Sequence, residues 1–139
     1  MPQTRDDTHV SAVSFEAPIE AVWQWLTDPL RFAHIYPSWT TSVELRDDGS
    51  YAAIGPAEDS FRIVPHINRE HGVIDFQVID PDGNVELSRS RLLATKDGGC
   101  TLIHFAVRWD AVDDRGWEQH KRDTDSDLQH VKQIIERSL

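Results

Sequence analysis

Glu86, His120 and Asp127 are the side chains of this chain best suited to moving a proton. A carboxylate that loses its hydration has its pKa raised toward neutrality, and an imidazole already titrates there. An acid and a base held over one enclosed space can therefore share general acid–base work. Glu86 is the first choice, with His120 as its partner, because counting along its strand places it on an inner face. His120 and Asp127 lie on a predicted helix, where each could face Glu86 or face water. Other chemistries lack their patterns. The seven histidines include no H-E-x-x-H, the chain has one cysteine, and His66 and His71 merely flank a turn, so no metal site is expected. No G-x-S-x-G elbow presents a nucleophilic serine. The glycines at 98 and 99 belong to a hairpin turn rather than a phosphate-binding loop, so no nucleotide and no other cofactor is expected.

Binding residues are easier to find than catalytic ones. Trp39, Trp109 and Trp117 each combine a large apolar body with one N–H in search of an acceptor, which suits a ligand of mixed polarity. Trp23 and Trp25, two apart on a short helix, point to different faces, one toward the core and the other partly exposed.

These residues need a scaffold, and the last third of the chain supplies its clearest element. A strand, "CTLIHFAVRWD", leads into "RGWEQHKRDTDSDLQHVKQIIERSL", a helix of roughly 22 residues and about 33 Å. Its far half carries Leu128, Val131, Ile134, Ile135 and Leu139 at core spacing. Its near half offers Trp117, His120, Lys121, Asp123, Thr124, Asp125 and Asp127, which do not pack as ordinary core. The first strand is expected at Thr8 to Phe15. A short helix then opens at Pro18, closes at Asp28-Pro29 and carries the stripe Ile19, Val22, Trp23 and Leu26. A second short helix covers Pro29 to Ile35. Turn signals at Asp48-Gly49, Pro56, Arg69 to Gly72, 80–83 and 96–99 divide the stretch from Pro37 to Asp110 into six strands in a meander. No internal repeat or low-complexity tract is present.

Turn chemistry sets which residues face inward, since a one-residue slip reverses every side chain. "DPDGN" suits a three-residue loop with Asp80 opposite Asn84. Asp75 then opposes Arg89, Phe76 opposes Ser88, Val78 opposes Glu86 and Ile74 opposes Ser90. A two-residue Asp97-Gly98 turn or a four-residue loop would pair Leu92 with Ile103, Ser90 with Phe105 and Ser88 with Val107. A three-residue loop would set Arg89 against Phe105 instead. The first choice groups Thr101, Ile103, Phe105, Val107 and Trp109 inside and leaves Arg89, Arg91 and His104 outside. A two-residue Asp48-Gly49 turn pairs Leu45 with Ala52 and Val43 with Ile54, aligning Thr41 and Trp39 near the mouth. The inner face of the sixth strand reads Glu86, Ser88, Ser90, Leu92, where a solid core would want larger apolar residues. Short hydroxyl side chains leave volume and need partners when buried. A hollow holding a small polar–apolar molecule meets both conditions. Its expected lining is Trp39, Thr41, Phe76, Ser88, Ser90, Phe105, Val107, Trp109, Trp117 and Thr124.

Composition narrows the partners. With 139 residues the chain is long enough for one domain over 1–139. Twenty-four acidic residues outnumber 14 Lys and Arg, giving a net charge of −10, so nucleic acid is not an expected partner. One cysteine suits a reducing compartment. "MPQTRDDTHV" has no apolar signal-peptide core, and no run of 18 apolar residues suggests an integral membrane segment. A cytoplasmic monomer or homodimer is expected.

The strand followed by "APIEAVWQWLTDP", the last hairpin "DGGCTLIHF" and the helix ending "DLQHVKQIIE" together resemble the START-like superfamily, also called SRPBCC or Bet v 1-like. Within it the chain is most similar to the polyketide cyclase/dehydrase type. The resemblance implies an α+β helix-grip fold: a seven-stranded antiparallel sheet curved around a long C-terminal helix, with two short helices between strands 1 and 2. It also implies a cavity for lipids, sterols, polyketides, quinones or hormones, with cyclisation or dehydration in some members. Cys100 stands where such proteins often run directly from Gly to Thr, implying a bulge or shifted register in the last hairpin. Fold alone leaves three functions open. The first is binding or carrying a small hydrophobic or amphipathic ligand, the second is a cyclase- or dehydratase-type enzyme using Glu86 and His120, and the third is a protein-interaction module without ligand.

Overall fold

The computed structural model describes residues 6–139. Strand β1, Thr8–Phe15, leads into helix α1, Ile19–Leu26, a 3₁₀ turn, Pro29–Arg31, and helix α2, Phe32–Ile35. Pro18, in extended conformation, precedes α1. Thr27 closes it by donating its hydroxyl to the Trp23 carbonyl at 2.8 Å. The Asp28 carboxylate accepts the Leu30 N–H at 3.1 Å and so starts the next turn. The meander follows: β2, Ser42–Leu45; β3, Tyr51–Ile54; β4, Ser60–Asn68; β5, Val73–Ile79; β6, Val85–Ala94; and β7, Cys100–Val107. Helix α3, Asp114–Arg137, ends the fold. Asp113 caps it by accepting the Gly116 N–H at 2.7 Å.

The sheet order is β1-β7-β6-β5-β4-β3-β2, antiparallel throughout. The short helices carry the chain from one sheet edge, β1, to the other, β2, and α3 lies over the concave face. This is the helix-grip α+β fold. Among the described residues, no helix is long and apolar enough to cross a membrane.

Hairpin geometry decides what faces α3. The Asp80–Asn84 turn has the three-residue form, and its register matches the expectation, with Asp75 opposite Arg89, Phe76 opposite Ser88 and Val78 opposite Glu86. The other two Asp-Gly hairpins use the same form, contrary to expectation. Arg46 pairs with Ser50 around Asp47, Asp48 and Gly49, and Thr95 pairs with Gly99 around Lys96, Asp97 and Gly98. The reason is conformational. A two-residue type I′ turn needs positive φ at both central positions, whereas the three-residue loop needs it at the glycine alone. Gly49, Gly83 and Gly98 have φ of 86°, 87° and 88°, while Asp48 and Asp97 keep negative φ.

Two corrections follow. Val43 opposes Ala53 and Leu45 opposes Tyr51. In β7 the whole strand turns over: Arg89 opposes Phe105, Ser90 opposes His104 and Leu92 opposes Leu102. Leu102, His104 and Ala106 therefore face α3, and Phe105 lies on the outer face. There the Arg91 guanidinium sits 5.5 Å from the Phe105 ring centre and pairs with Asp75 at 2.9 Å.

Val13, Phe15, Val22, Leu26, Phe32, Ile35, Ile63, Ile74, Phe76 and Leu102 pack with Leu128, Val131 and Ile135 of α3 into one apolar core. Trp117 is also fully buried, but outside that cluster. Ile134 is half-buried and Leu139 exposed, so the core stripe of α3 is narrower than its spacing implied.

Candidate functional site

Between the inner faces of β5, β6 and β7 and the first half of α3 lies a cavity of about 920 Å³. The sheet contributes Ile74, Phe76 and Val78 from β5, Glu86, Ser88 and Ser90 from β6, and Leu102, His104 and Ala106 from β7. Opposite stand His120, Asp123, Thr124, Asp127 and Leu128 of α3, with Tyr36, Ser38 and Trp39 from the segment after α2 and Trp109 from the loop before α3. The space exists because Ser88, Ser90 and Ala106 are short where a closed core would carry larger side chains. Ser90 is 8% exposed and satisfies its hydroxyl on His104 Nδ1 at 2.9 Å.

The electrostatics favour uncharged imidazoles. Burial, reinforced by neighbouring His120 and His9, takes His104 from its ordinary 6.5 to about 4. His120 is also lowered by burial. Glu86, Asp123 and Asp127 pull it back up and His9 pushes it further down. The His120 ring stacks on Trp117 with centroids 5.7 Å apart and meets Trp109 edge-on at 5.1 Å. Its Nε2 is buried with no hydrogen-bond partner among the described residues. Two turns further along α3, burial raises the Asp127 carboxyl above the usual range despite the 2.7 Å hydrogen bond that Ser38 donates, and the Asp123 charge adds to the rise. Burial, with help from Asp127, raises the Tyr36 phenol as well. Tyr36 is half-buried, and part of its surface faces the cavity.

The structure sorts the sequence candidates. Trp39, Phe76, Ser88, Ser90, Trp109, His120 and Thr124 line the cavity, as does Glu86. Glu86, however, sits at the open end and is exposed, so it is not the desolvated carboxylate expected; Asp127 is closer to that description. The Thr124 hydroxyl donates to the His120 carbonyl at 2.9 Å. Thr41 lies outside the cavity, exposed on the approach to β2, with its hydroxyl on the Ile54 carbonyl at 3.2 Å. Phe105 is on the outer face for the reason given above. Val107, at the end of the overturned strand, is 58% exposed and touches only the cavity rim. Trp117 forms a wall behind His120, its indole N–H spent on the Asp6 carbonyl at 2.6 Å.

His104, Tyr36, Ser38 and Asp123 were missed as lining residues. His104 was within reach, because treating the turn at 95–99 like that at 80–84 brings it inside; for Tyr36 and Ser38 the sequence carries no comparable signal. Among the described residues, no three His, Cys, Asp or Glu gather as a metal-ligand set.

No family model matches this chain, and no curated protein matches it. Solved structures do. An uncharacterised protein from Bacillus thuringiensis superposes with a TM-score of 0.72 at 12% identity, over 92% of this chain and 98% of that one. The Zhui aromatase/cyclase from a Streptomyces species gives 0.66 at 18% identity, over 94% and 92% of the two chains. DynU16, encoded in the dynemicin biosynthetic locus, gives 0.67 at 20% identity, over 95% of this chain and 48% of its own. At such identities the likeness is one of fold alone.

Proposed function

We propose that this chain is a small-molecule-binding protein of the START-like superfamily, holding one amphipathic ligand between sheet and α3. The observation that carries this reading is the cavity itself. Its volume of about 920 Å³ lies in the range of ligand pockets, and its lining mixes aromatic and aliphatic side chains with hydroxyls, imidazoles and carboxylates, a mixture that suits an amphipathic molecule. A flat aromatic or polyketide-type body suits Trp39, Tyr36, Phe76 and Trp109, and the aromatase/cyclase activity of the Zhui protein supports that choice. The buried, unpaired thiol of Cys100 suits a reducing compartment such as the cytoplasm.

Filling the cavity tests the reading. Ser88 is half-buried, lines the space and has no hydrogen-bond partner among the described residues, so Ser88→Leu adds volume without breaking a bond. N-phenyl-1-naphthylamine, an uncharged fluorescent probe, is expected to bind the parent protein and quench its tryptophans. Its affinity should fall at least about tenfold in Ser88→Leu, equivalent to about 1.4 kcal/mol, while the circular dichroism stays unchanged. Equal binding by both proteins defeats the proposal. Native mass spectrometry of protein purified from its own host would identify the resident molecule.

A second reading, a cyclase- or dehydratase-type enzyme, draws on the placement of Asp127 and His120 on α3, with Tyr36 from the segment after α2, across the cavity from His104 of β7. A raised carboxyl can donate a proton that a neutral imidazole can accept. In this reading Asp127 replaces Glu86 as the principal acid. Turnover of a poly-β-carbonyl substrate should then be lost in Asp127→Asn and largely retained in Glu86→Gln.

A further inference from the structure

We infer that the cavity selects a ligand with a positive charge, its cationic group at the mouth between Glu86, Asp123 and Asp127 and its apolar body against Trp39 and Trp109. The inference deepens the binding reading above and rests on it. It comes from the signs of all the charged side chains around the cavity. Four carboxylates line it, and one of them, Asp80, is tied into its own hairpin by Asp82 and Asn84. The other three approach from both walls, Glu86 from β6 and Asp123 and Asp127 from α3, and all three act electrostatically on His120. Arg89 is the one Lys or Arg on the lining. Strand alternation turns its side chain away, since Ser88 and Ser90 face in and Arg89 stands beside Asp75 and Phe105 on the outer surface. Lys121, on the near half of α3, is occupied by Asp6 at 3.0 Å and Glu118 at 2.8 Å. The two histidines on the lining are held toward their neutral forms by burial.

Three carboxylates that face no Lys or Arg are an unbalanced arrangement, with only the imidazoles of His120 and His130 acting on Asp127 from the basic side. Asp123 and Asp127 are one helical turn apart, a spacing at which like charges repel. Their partners are uncharged donors, Gln119 for Asp123 at 2.7 Å and Ser38 for Asp127 at 2.7 Å. A bound ammonium or other organic cation removes the repulsion, and the faces of Trp39, Tyr36 and Trp109 offer further attraction to positive charge. An anionic amphiphile meets the opposite: three like charges and no counter-charge.

Three aromatic probes of comparable size separate the charges: N-methylacridinium, a permanent cation; N-phenyl-1-naphthylamine, uncharged; and 1-anilinonaphthalene-8-sulfonate, an anion. Partly exposed ion pairs contribute a few-fold in affinity each. The cation should therefore bind about tenfold tighter than the anion at low salt, with the gap narrowing in 0.5 M NaCl. Asp123→Asn removes an exposed charge without touching the core. It should weaken the cation about threefold, strengthen the anion and leave the uncharged probe unchanged. If the uncharged probe binds in a Ser88-dependent manner but cation and anion bind equally, the charge inference falls and the binding reading stands. If none of the three binds, both fall. If Asp123→Asn weakens all three probes alike, the residue acts through structure and the charge inference is overturned.

Discussion

The two halves of α3 lie over one sheet but are packed differently. From Leu128 to Ile135 the helix buries Leu128, Val131 and Ile135 in a continuous apolar cluster. From His120 to Asp127 it stands over Glu86, Ser88, Ser90, His104 and Ala106, with a cavity between. At one end, large side chains from helix and sheet fill the interval; at the other, the sheet supplies hydroxyls and an alanine, and the interval stays open. Trp117 shows that the near end is not simply polar. It is fully buried, yet it belongs to a small aromatic group with Trp109 and His120 rather than to the main core. One helix thus serves as structural spine and as cavity wall, according to what faces it.

Truncation should separate the two ends most sharply. Ile135→Ala removes a fully buried side chain from close-packed surroundings and should lower unfolding free energy by about 2–5 kcal/mol. Thr124→Ala at the cavity removes one local hydroxyl bond and should cost no more than about 1 kcal/mol. Urea denaturation of both variants measures the contrast, and equal losses would mean that the cavity end is packed as firmly as the core.

A smaller difference comes from pH. The folded protein holds His104 near 4, below its ordinary 6.5, so the unfolded chain binds more protons across that interval. Stability from keeping His104 neutral is complete above pH 6.5 and is lost as pH falls toward 4, an effect of up to about 3 kcal/mol. Unfolding at pH 7.5 and pH 5 should show a loss that is smaller in His104→Asn. A pH dependence unaltered by that substitution would show that this imidazole is not the one being held neutral.

The smallest expected effect concerns the turn that brings His104 to the cavity side. A β-carbon at Gly98 would meet nothing within 4 Å, so its φ of 88° is the whole cost of a substitution. Gly98→Ala should destabilise by about 1–2 kcal/mol through backbone strain alone. Amide exchange in β6 and β7 should then rise more than in α3, and a uniform rise would argue against a local effect.

Much of the scaffold was legible in the residues. Thr8 to Phe15, the Pro18 and Asp28-Pro29 helix boundaries, the six-stranded meander and the "DPDGN" register all follow from local rules: alternation, capping and turn preference. The inward Ser88 and Ser90 followed from that one register. Phe105 and His104 changed sides for one reason: a two-residue turn or a four-residue loop at 95–99 puts Phe105 inside, whereas the three-residue loop brings His104 there. Apolarity is a poor guide to the inner face of β7, because that face borders a cavity instead of close-packed core.

The amino-acid order by itself determined the element sequence, the antiparallel meander and the short side chains that leave space, because each depends on neighbours a few positions away. Tertiary structure alone decided which titratable groups share that space. His104, His120, Tyr36 and Asp127 come from a strand, a helix and the segment after α2, and their common environment depends on helix placement and on a one-residue register over long sequence separations. Burial and charge there are properties of the assembled fold, and no local pattern encodes them.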